Sequence, residues 1–194
     1  MSLISRDDSN SIRRELDELG KAHVEVSKKS RDIVRLSKEL IYSTNRGDLK
    51  SAGEKLVLIR KERRILDKIA SKPKLRYYYP YILAIQEYVE AAAFHEIIAK
   101  GRIPTRRELS AETDVYLMGL SDLSGELVRK AVDDMIRERY EHALFMKDVV
   151  AEIYGLIMGI DFEGGDTRKK ADQVKWNLNK LEDLIYDAKI RDKI

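Results

Sequence analysis

Cysteine is absent from this 194-residue sequence, which also holds only three prolines and ten glycines. Without cysteine the chain forms neither a disulfide framework nor a thiolate metal site, and we expect a reducing compartment, the cytoplasm. No apolar run approaches the roughly 18 residues that a membrane-spanning helix needs, so we expect no membrane partner. Because no stretch rich in proline or glycine divides the chain, we predict a single domain over residues 1–194.

Several motifs of known chemistry are also missing. The sequence holds no G-x-x-x-x-G-K-[ST] phosphate-binding loop, no G-x-G-x-x-G dinucleotide-binding motif and no G-x-S-x-G nucleophile turn. None of its histidines, His23, His95 and His142, follows a glutamate by three residues. A ferritin-like di-iron site, which needs two Glu-x-x-His motifs, is therefore excluded.

Helical patterning dominates what is present. Apolar residues recur every three or four positions, 37% of the residues are charged, and no segment shows the alternation of a strand. We predict an all-α, single-domain bundle of six to seven helices. The predicted helices cover residues 9–44, 49–70, 77–99, a short helix opening at Thr105, a segment from about 113 toward 159 with a break near 131–137, and 167–189 after a loop at 161–166.

Charge is divided unevenly along the chain. Residues 1–80 carry 20 lysines and arginines against 12 acids, whereas residues 81–194 carry 17 against 22. A basic half joined to an acidic half indicates an anion-binding surface in the first half and a different site in the second. The alternative is a solvated surface whose charge is merely uneven.

A closely spaced pair of acids lies inside the most apolar helical segment. Glu87 and Glu90 fall between Arg76 and Lys100, an interval that contains no lysine or arginine. Because they are three residues apart, they share one helix face. An ionised acid is expensive to bury unless it is compensated, and a metal ion is the obvious candidate.

A second acidic pair follows in the next long helix. Asp122 and Glu126 are four residues apart, and Arg129 lies on the same stripe, seven residues after Asp122. If the two helices pack face to face, four carboxylates converge. Hard oxygen ligands without cysteine favour Mg²⁺ or Mn²⁺, and carboxylate-bound Mg²⁺ commonly serves phosphodiester hydrolysis. The alternative makes Arg129 the salt-bridge partner of Glu126 in a polar seam.

The stretch from Lys74 to Tyr81 combines cations with four tyrosines. Such a mixture suits a single-stranded nucleic acid, since rings stack on bases and cations meet phosphates. The alternative is that tyrosines at a helix start simply pack.

Three blocks of sequence stand out, with a fourth, weaker one at Arg31–Lys38. They are Gln86–Ala91 with Phe94, Tyr116–Leu127 and Leu178–Arg191. Together they resemble the translin family, and within it the branch of translin-associated factor X, over most of the chain from about residue 30 onward. The first block is similar to that branch's catalytic helix, the second to its other acidic block and the third to the family's shared C-terminal helix.

The resemblance implies a seven-helix fold that assembles into hollow, commonly octameric shells and binds single-stranded RNA and DNA. The factor X members are Mg²⁺-dependent endoribonucleases, and their acids correspond by position to Glu87, Glu90 and Asp122, with Glu126 beside them. Translin itself lacks the first three acids, so this chain sides with the nuclease branch. Its compactness resembles prokaryotic or archaeal members. The chain also lacks the histidines that translin carries near Tyr78.

The first hypothesis is therefore a Mg²⁺-dependent (or Mn²⁺-dependent) endoribonuclease that cleaves single-stranded RNA inside a homo-oligomeric shell, expected to be an octamer. Glu87, Glu90, Asp122 and Glu126 would hold the metal, and Arg129 would meet the phosphate. A shell that binds single-stranded RNA or DNA without cutting is the alternative, and a scaffold without nucleic acid is the third. The residues expected to guide the strand are Arg35, Lys38, Arg60, Lys61, Arg64, Lys68, Arg76 and Tyr78.

Overall fold

The computed structural model describes residues 3–160 and 165–191, and these form α-helices joined by short turns. The prediction of an all-α bundle of six to seven helices is confirmed. The helices are α1 (Arg6–Asn45), α2 (Leu49–Ile69), α3 (Pro73–Arg76), α4 (Tyr79–Lys100), α5 (Thr113–Ile136), α6 (Tyr140–Met158) and α7 (Gly165–Ile190).

Local sequence sets most of the helix ends. Gly47 takes a positive φ of 77° between α1 and α2, a conformation open to glycine without a side-chain clash. The carboxylate of Asp48 then accepts a hydrogen bond of 3.0 Å from the amide of Ser51, which caps α2. Pro80 has no amide hydrogen and is tolerated only in a first helical turn, so α4 begins at Tyr79 rather than at the predicted Tyr77.

Helix α4 lies at the centre of the molecule. It packs against α1, α2 and α5, and α5 in turn packs against α6 and α7. Its first half contributes to a core shared with α1 and α2, and its second half to a core shared with α5, α6 and α7. An almost entirely apolar helix is stable only when it is buried on most sides, which is the position that α4 occupies.

One predicted helix is wrong. The residues after Thr105 form a turn and not a short helix, although Thr105 and Glu108 exchange the two hydrogen bonds of a capping box at 2.7 and 3.2 Å. Ser110 takes a positive φ of 49°, and the buried guanidinium of Arg63 donates to the carbonyl oxygens of Leu109 and Ser110. These two carbonyls therefore accept hydrogen bonds from a side chain instead of from the backbone amides that would continue a helix.

Other boundaries shift by a few residues. The long segment from Thr113 breaks at residues 137–139, where Glu138 has a φ of 59°. Residues 161–164 of the predicted loop lie outside the described residues, and α7 begins at Gly165. None of the helices in the described ranges has the length and apolarity to cross a membrane.

The approach of α4 to α5 depends on Gly119. A Cβ atom added to Gly119 would lie 2.6 Å from Cγ1 of Val89 and 3.0 Å from the carbonyl oxygen of Gln86. A β-branched side chain and the α4 backbone therefore occupy the space where any other residue would place its side chain. Gly119 lies three residues before Asp122, and Val89 lies between Glu87 and Glu90. The same contact thus sets the spacing of the two acidic pairs.

We expect Gly119→Ala to destabilise the protein, because the added methyl overpacks the α4–α5 seam. Overpacking of this kind costs about 1–3 kcal/mol, and each kcal/mol lowers the melting temperature of a domain of this size by about 2–4 °C. Thermal melting followed by circular dichroism measures the effect.

Gly53→Ala is the matched control. Gly53 lies inside α2, and a Cβ there meets nothing within 4 Å. We expect this change to raise stability by about 0.5–1 kcal/mol, since alanine loses less backbone entropy on folding. Equal melting temperatures for the two variants would show that the seam has room for a side chain.

Candidate active site

The four predicted acids come together where α4 packs on α5. Glu87 and Glu90 project from α4, and Asp122 and Glu126 project from α5. The charges of Asp122, Glu87 and Glu126 all act on the carboxyl of Glu90. The sequence prediction that two acidic helices face each other is therefore met by the packing of α4 on α5.

Burial makes Glu90 the most perturbed acid of the cluster. Its residue is only 9% exposed, and burial together with the charges of Asp122, Glu87 and Glu126 raises its pKa to about 8. Glu87 is half-buried, and burial raises its pKa too. Lys38 of α1 opposes that rise, whereas Asp122 and Glu126 add to it. Burial and the neighbouring carboxylates therefore together disfavour the ionised forms of Glu87 and Glu90.

Asp122 is held on both of its oxygens. The side-chain amide of Gln86 donates a hydrogen bond to Oδ2, and the ammonium of Lys170 donates to Oδ1. Lys170 comes from the first turns of α7, so a third helix reaches the seam. Each side chain of the Lys170–Asp122 ion pair retains less than a quarter of its exposure.

Sequence reasoning missed the roles of Gln86 and Lys170. Gln86 stands beside Glu87 in the block that resembles the translin family, but no function was assigned to it. Lys170 lies four residues before Val174, which is fully buried in the core between α5, α6 and α7. Because residues four apart share a helix face, Lys170 lies on the side of α7 that faces the core. This spacing is the one signal in the sequence that could have predicted its contact with Asp122.

Arg129 pairs with Glu126. Its Nη1 donates to Oε1 of Glu126 at 2.8 Å, the contact that the structural alternative described. The arginine side chain is nonetheless 76% exposed. A guanidinium at the edge of the acidic cluster, anchored at one nitrogen, retains donors that face solvent.

The acids suit a hard divalent cation in chemistry and in charge. Their donors are carboxylate oxygens, and the pKa of Glu90 is raised first by burial and then by the charges of Asp122, Glu87 and Glu126, all of which a cation would offset. As they stand, however, no three acids or histidines among the described residues are arranged to hold one metal ion. Lys170 and Gln86 each donate to one oxygen of Asp122, so a metal ion bound there would compete with the Lys170 ammonium for the carboxylate charge.

The residues predicted to guide a strand are spread over three places. Lys38 lies beside the acids and acts on Glu87, and Arg35 pairs with Glu39 at 2.6 Å on the same helix. Arg76 lies 3.9 Å from Glu112, away from the acidic seam. The remaining cations are exposed on α2, and in the described ranges no hydrogen bond or ion pair joins them to the acids of the seam. They are Arg60, Lys61, Arg64 and Lys68.

Tyr78 does not present its ring for stacking on a base. Its ring centroid lies 4.5 Å from that of His23, and its hydroxyl accepts a hydrogen bond of 3.2 Å from Ser27. These contacts are the ones that the packing alternative describes, and the contact of Tyr78 with nucleic acid stays a prediction. Its neighbours Tyr77 and Tyr79 remain 82% and 70% exposed.

The fold and the site define an all-α protein with a carboxylate cluster between its two central helices. The model of the Translin family matches residues 21–192. This chain therefore belongs to the translin family, which confirms the resemblance drawn from its sequence blocks.

Individual relatives are similar at moderate identity. An uncharacterized protein of Methanocaldococcus jannaschii is 26% identical over 204 aligned residues, which cover 99% of this chain and 89% of that protein. Translin of Gallus gallus is 28% identical over 111 residues, 56% of this chain and 47% of that protein. The chain thus aligns with less than half of the chicken translin.

Solved structures match this chain over nearly its whole length and theirs. The crystal structure of apo-NeC3PO matches with a TM-score of 0.87 and 31% identity over 96% of this chain and 98% of that one. The structure of an AfC3PO–duplex RNA complex matches with a TM-score of 0.81 and 26% identity, over 94% and 96%.

We expect Glu90→Gln to stabilise the metal-free protein most at high pH. The folded pKa of Glu90, about 8, lies above the unfolded value of 4.5. Folding therefore takes up a proton between pH 4.5 and 8, and the wild type loses stability as pH rises through that window. Gln cannot ionise, so the advantage of the variant grows with pH and levels off above pH 8.

Melting temperatures in EDTA from pH 5 to 9 measure this difference. At pH 8.5 we expect Glu90→Gln to melt at least about 2–4 °C above the wild type, the shift that about 1 kcal/mol produces. Glu54→Gln, at an exposed position on α2, should track the wild type. A constant offset between Glu90→Gln and wild type at every pH would disprove the raised pKa.

Proposed function

We propose that this protein is a metal-dependent endoribonuclease that hydrolyses phosphodiester bonds of single-stranded RNA. The observation that carries the proposal is the convergence of Glu87, Glu90, Asp122 and Glu126 in one half-buried seam, with burial and mutual repulsion raising the pKa of Glu90 to about 8. Strongly perturbed acids that converge in a cleft are typical of functional sites. The match to the AfC3PO–duplex RNA complex supports RNA as the substrate class.

Mg²⁺ is the proposed cofactor, and Mn²⁺ is an acceptable substitute. Glu87, Glu90 and Asp122 would hold it, with Glu126 as a further ligand or a neighbour of the ligands. Bound there, such an ion lowers the pKa of its water and neutralises charge on the phosphoryl oxygens.

The remaining roles belong to side chains of this chain. Gln86 fixes the rotamer of Asp122 through its amide. Lys38 and Arg129 stand at two edges of the acidic cluster and would orient the phosphate by charge-assisted hydrogen bonds. Lys170 pairs with Asp122, and its ammonium would also serve as a donor to a phosphate oxygen of the substrate.

A protein that binds RNA or DNA strands without cutting them is the second candidate. The observation in its favour is that both oxygens of Asp122 are already occupied by Gln86 and Lys170. In that case the acids form a charge-balanced seam between helices. Binding would then be salt-sensitive and indifferent to EDTA.

We also propose that the chain assembles into a homo-oligomeric, octameric shell in the cytoplasm. The first half of α1 supports assembly, since Ile12, Leu16 and Val24 are at least 50% exposed on a helix of 40 residues. Light scattering measures the mass of the assembly, and division by the monomer mass of 22.5 kDa gives the number of copies.

We expect cleavage of a labelled single-stranded RNA that requires both Mg²⁺ and the acidic seam. Glu87→Gln and Asp122→Asn keep the shape of each side chain but remove its charge, so each should lower the cleavage rate at least about 100-fold. RNA binding in EDTA should persist in both variants. Gel electrophoresis of the labelled strand and fluorescence anisotropy measure the two activities.

The exposed Glu54→Gln is the matched control and should cut at the wild-type rate. Cleavage that survives in Asp122→Asn would remove the seam from the reaction. RNA that is bound but never cut, by the wild type with either Mg²⁺ or Mn²⁺, would establish the second candidate instead.

We expect Lys170→Met to bind Mn²⁺ about fivefold more tightly than the wild type. The substitution removes the cation that competes for Asp122, and an ion pair of this exposure contributes on the order of 1 kcal/mol. The electron paramagnetic resonance signal of free Mn²⁺ measures binding without any substrate.

Lys175→Met changes an exposed lysine of the same helix and should bind Mn²⁺ as the wild type does. Weaker binding in Lys170→Met would show that Lys170 organises Asp122 for the metal rather than competing with it.

A further inference from the structure

A groove outside the acidic seam has the properties of a nucleotide-binding site. It lies between α1, the start of α2 and the start of α4, and its volume is about 970 Å³, the size of a small-ligand pocket. We call it the α1–α4 groove. The residues that matter for its chemistry are Ser30, Arg31, Arg35, Lys38, Lys55 and Tyr79.

The groove is positively charged. Arg31, Arg35, Lys38 and Lys55 line it against a single acid, Glu39. Glu39 accepts from both Arg35 at 2.6 Å and Lys55 at 3.2 Å, which neutralises part of that charge. Arg31 and Lys38 take part in no ion pair in the described ranges, so their charges are available to an anion.

Aromatic rings flank these cations. Tyr79 is 70% exposed and Tyr42 is 62% exposed, and both line the groove. One face of the Tyr42 ring already has the guanidinium of Arg46 5.5 Å from its centroid. Tyr79, among the described residues, has no ring or hydrogen-bond partner for its side chain, so its ring is the one available for stacking.

The floor of the groove carries an unsatisfied hydroxyl. Ser30 is only 3% exposed, lines the groove, and its Oγ has no hydrogen-bond partner. A buried polar atom without a partner is destabilising, and a ligand that reaches it supplies the missing bond. Cations, a free ring and an unpaired hydroxyl together match the phosphate, base and sugar or base edge of one nucleotide.

Lys38 connects the groove to the seam. It lines the groove and at the same time acts on the carboxyl of Glu87. A phosphate next to Lys38 would therefore lie between the two sites. We propose that the α1–α4 groove binds one nucleotide, its base against Tyr79 and its phosphate on Arg31 and Lys38, next to the strand position at the acids; this inference rests on the proposed RNA substrate.

The test measures binding without cleavage. In EDTA and with Glu87→Gln as the background, anisotropy of a labelled oligoadenylate reports affinity alone. Tyr79→Ala should weaken binding about tenfold or more, because one stacked base is lost, and Tyr79→Phe should restore it. Tyr77→Ala, which removes an even more exposed ring outside the groove, should change affinity less than twofold.

Salt dependence tests the phosphate contact. Arg31→Gln should reduce the slope of log Kd against log salt concentration by about 0.7, the value for one phosphate of a single strand. Arg14→Gln, exposed on the same helix but outside the groove, should leave the slope unchanged. Competition by adenosine monophosphate that depends on Tyr79 would show that the groove accepts a free nucleotide; competition by oligoadenylate alone would assign it to the strand.

Several results would overturn the inference. Equal affinities for Tyr79→Ala and Tyr77→Ala would remove the base from the groove. A change in oligomer mass by light scattering in Tyr79→Ala, with RNA affinity intact, would make the groove an interface between copies of this chain. If the protein never cuts RNA but binds a nucleotide in a manner that depends on Tyr79, the nuclease proposal would be refuted. The groove would then still be a nucleotide-binding site.

Discussion

The close approach of α4 to α5 is the constraint on which the rest of the molecule depends. Only a glycine at position 119 lets Val89 and the Gln86 carbonyl come so near, and the two hydrophobic cores meet along α4. The same contact sets the distance between the acids of the two helices. Stability and the candidate chemistry are therefore coupled, since any change that separates the helices also separates the carboxylates.

The electrostatics of the seam follow from this packing. Helix α4 is buried because it is apolar, and it takes Glu90 out of water with it. The structure relieves the resulting repulsion in part, with Lys38 from α1 on one side and Lys170 from α7 on the other. Cations from α1 and α7 therefore flank the acids of the seam.

The most conspicuous charge in the sequence does not lie beside the acidic seam. The cations of α2 form a conspicuous stripe in the sequence, but α1 is the helix that carries Lys38 to the acids and lines the α1–α4 groove. Tyr79 is exposed there while Tyr78 packs on His23. Helix packing, rather than local composition, therefore decides which basic and aromatic residues a strand could reach.

The sequence by itself determined the all-α class, most helix bounds and the pairing of acids at 87, 90, 122 and 126, because helical periodicity and capping act over a few neighbouring residues. Tertiary structure alone decided the turn after Thr105, which Arg63 holds, and the packing of Tyr78. It also brought Lys170 to Asp122 across 48 residues of chain. Contacts between distant residues depend on how whole helix faces pack, and no local pattern encodes that arrangement.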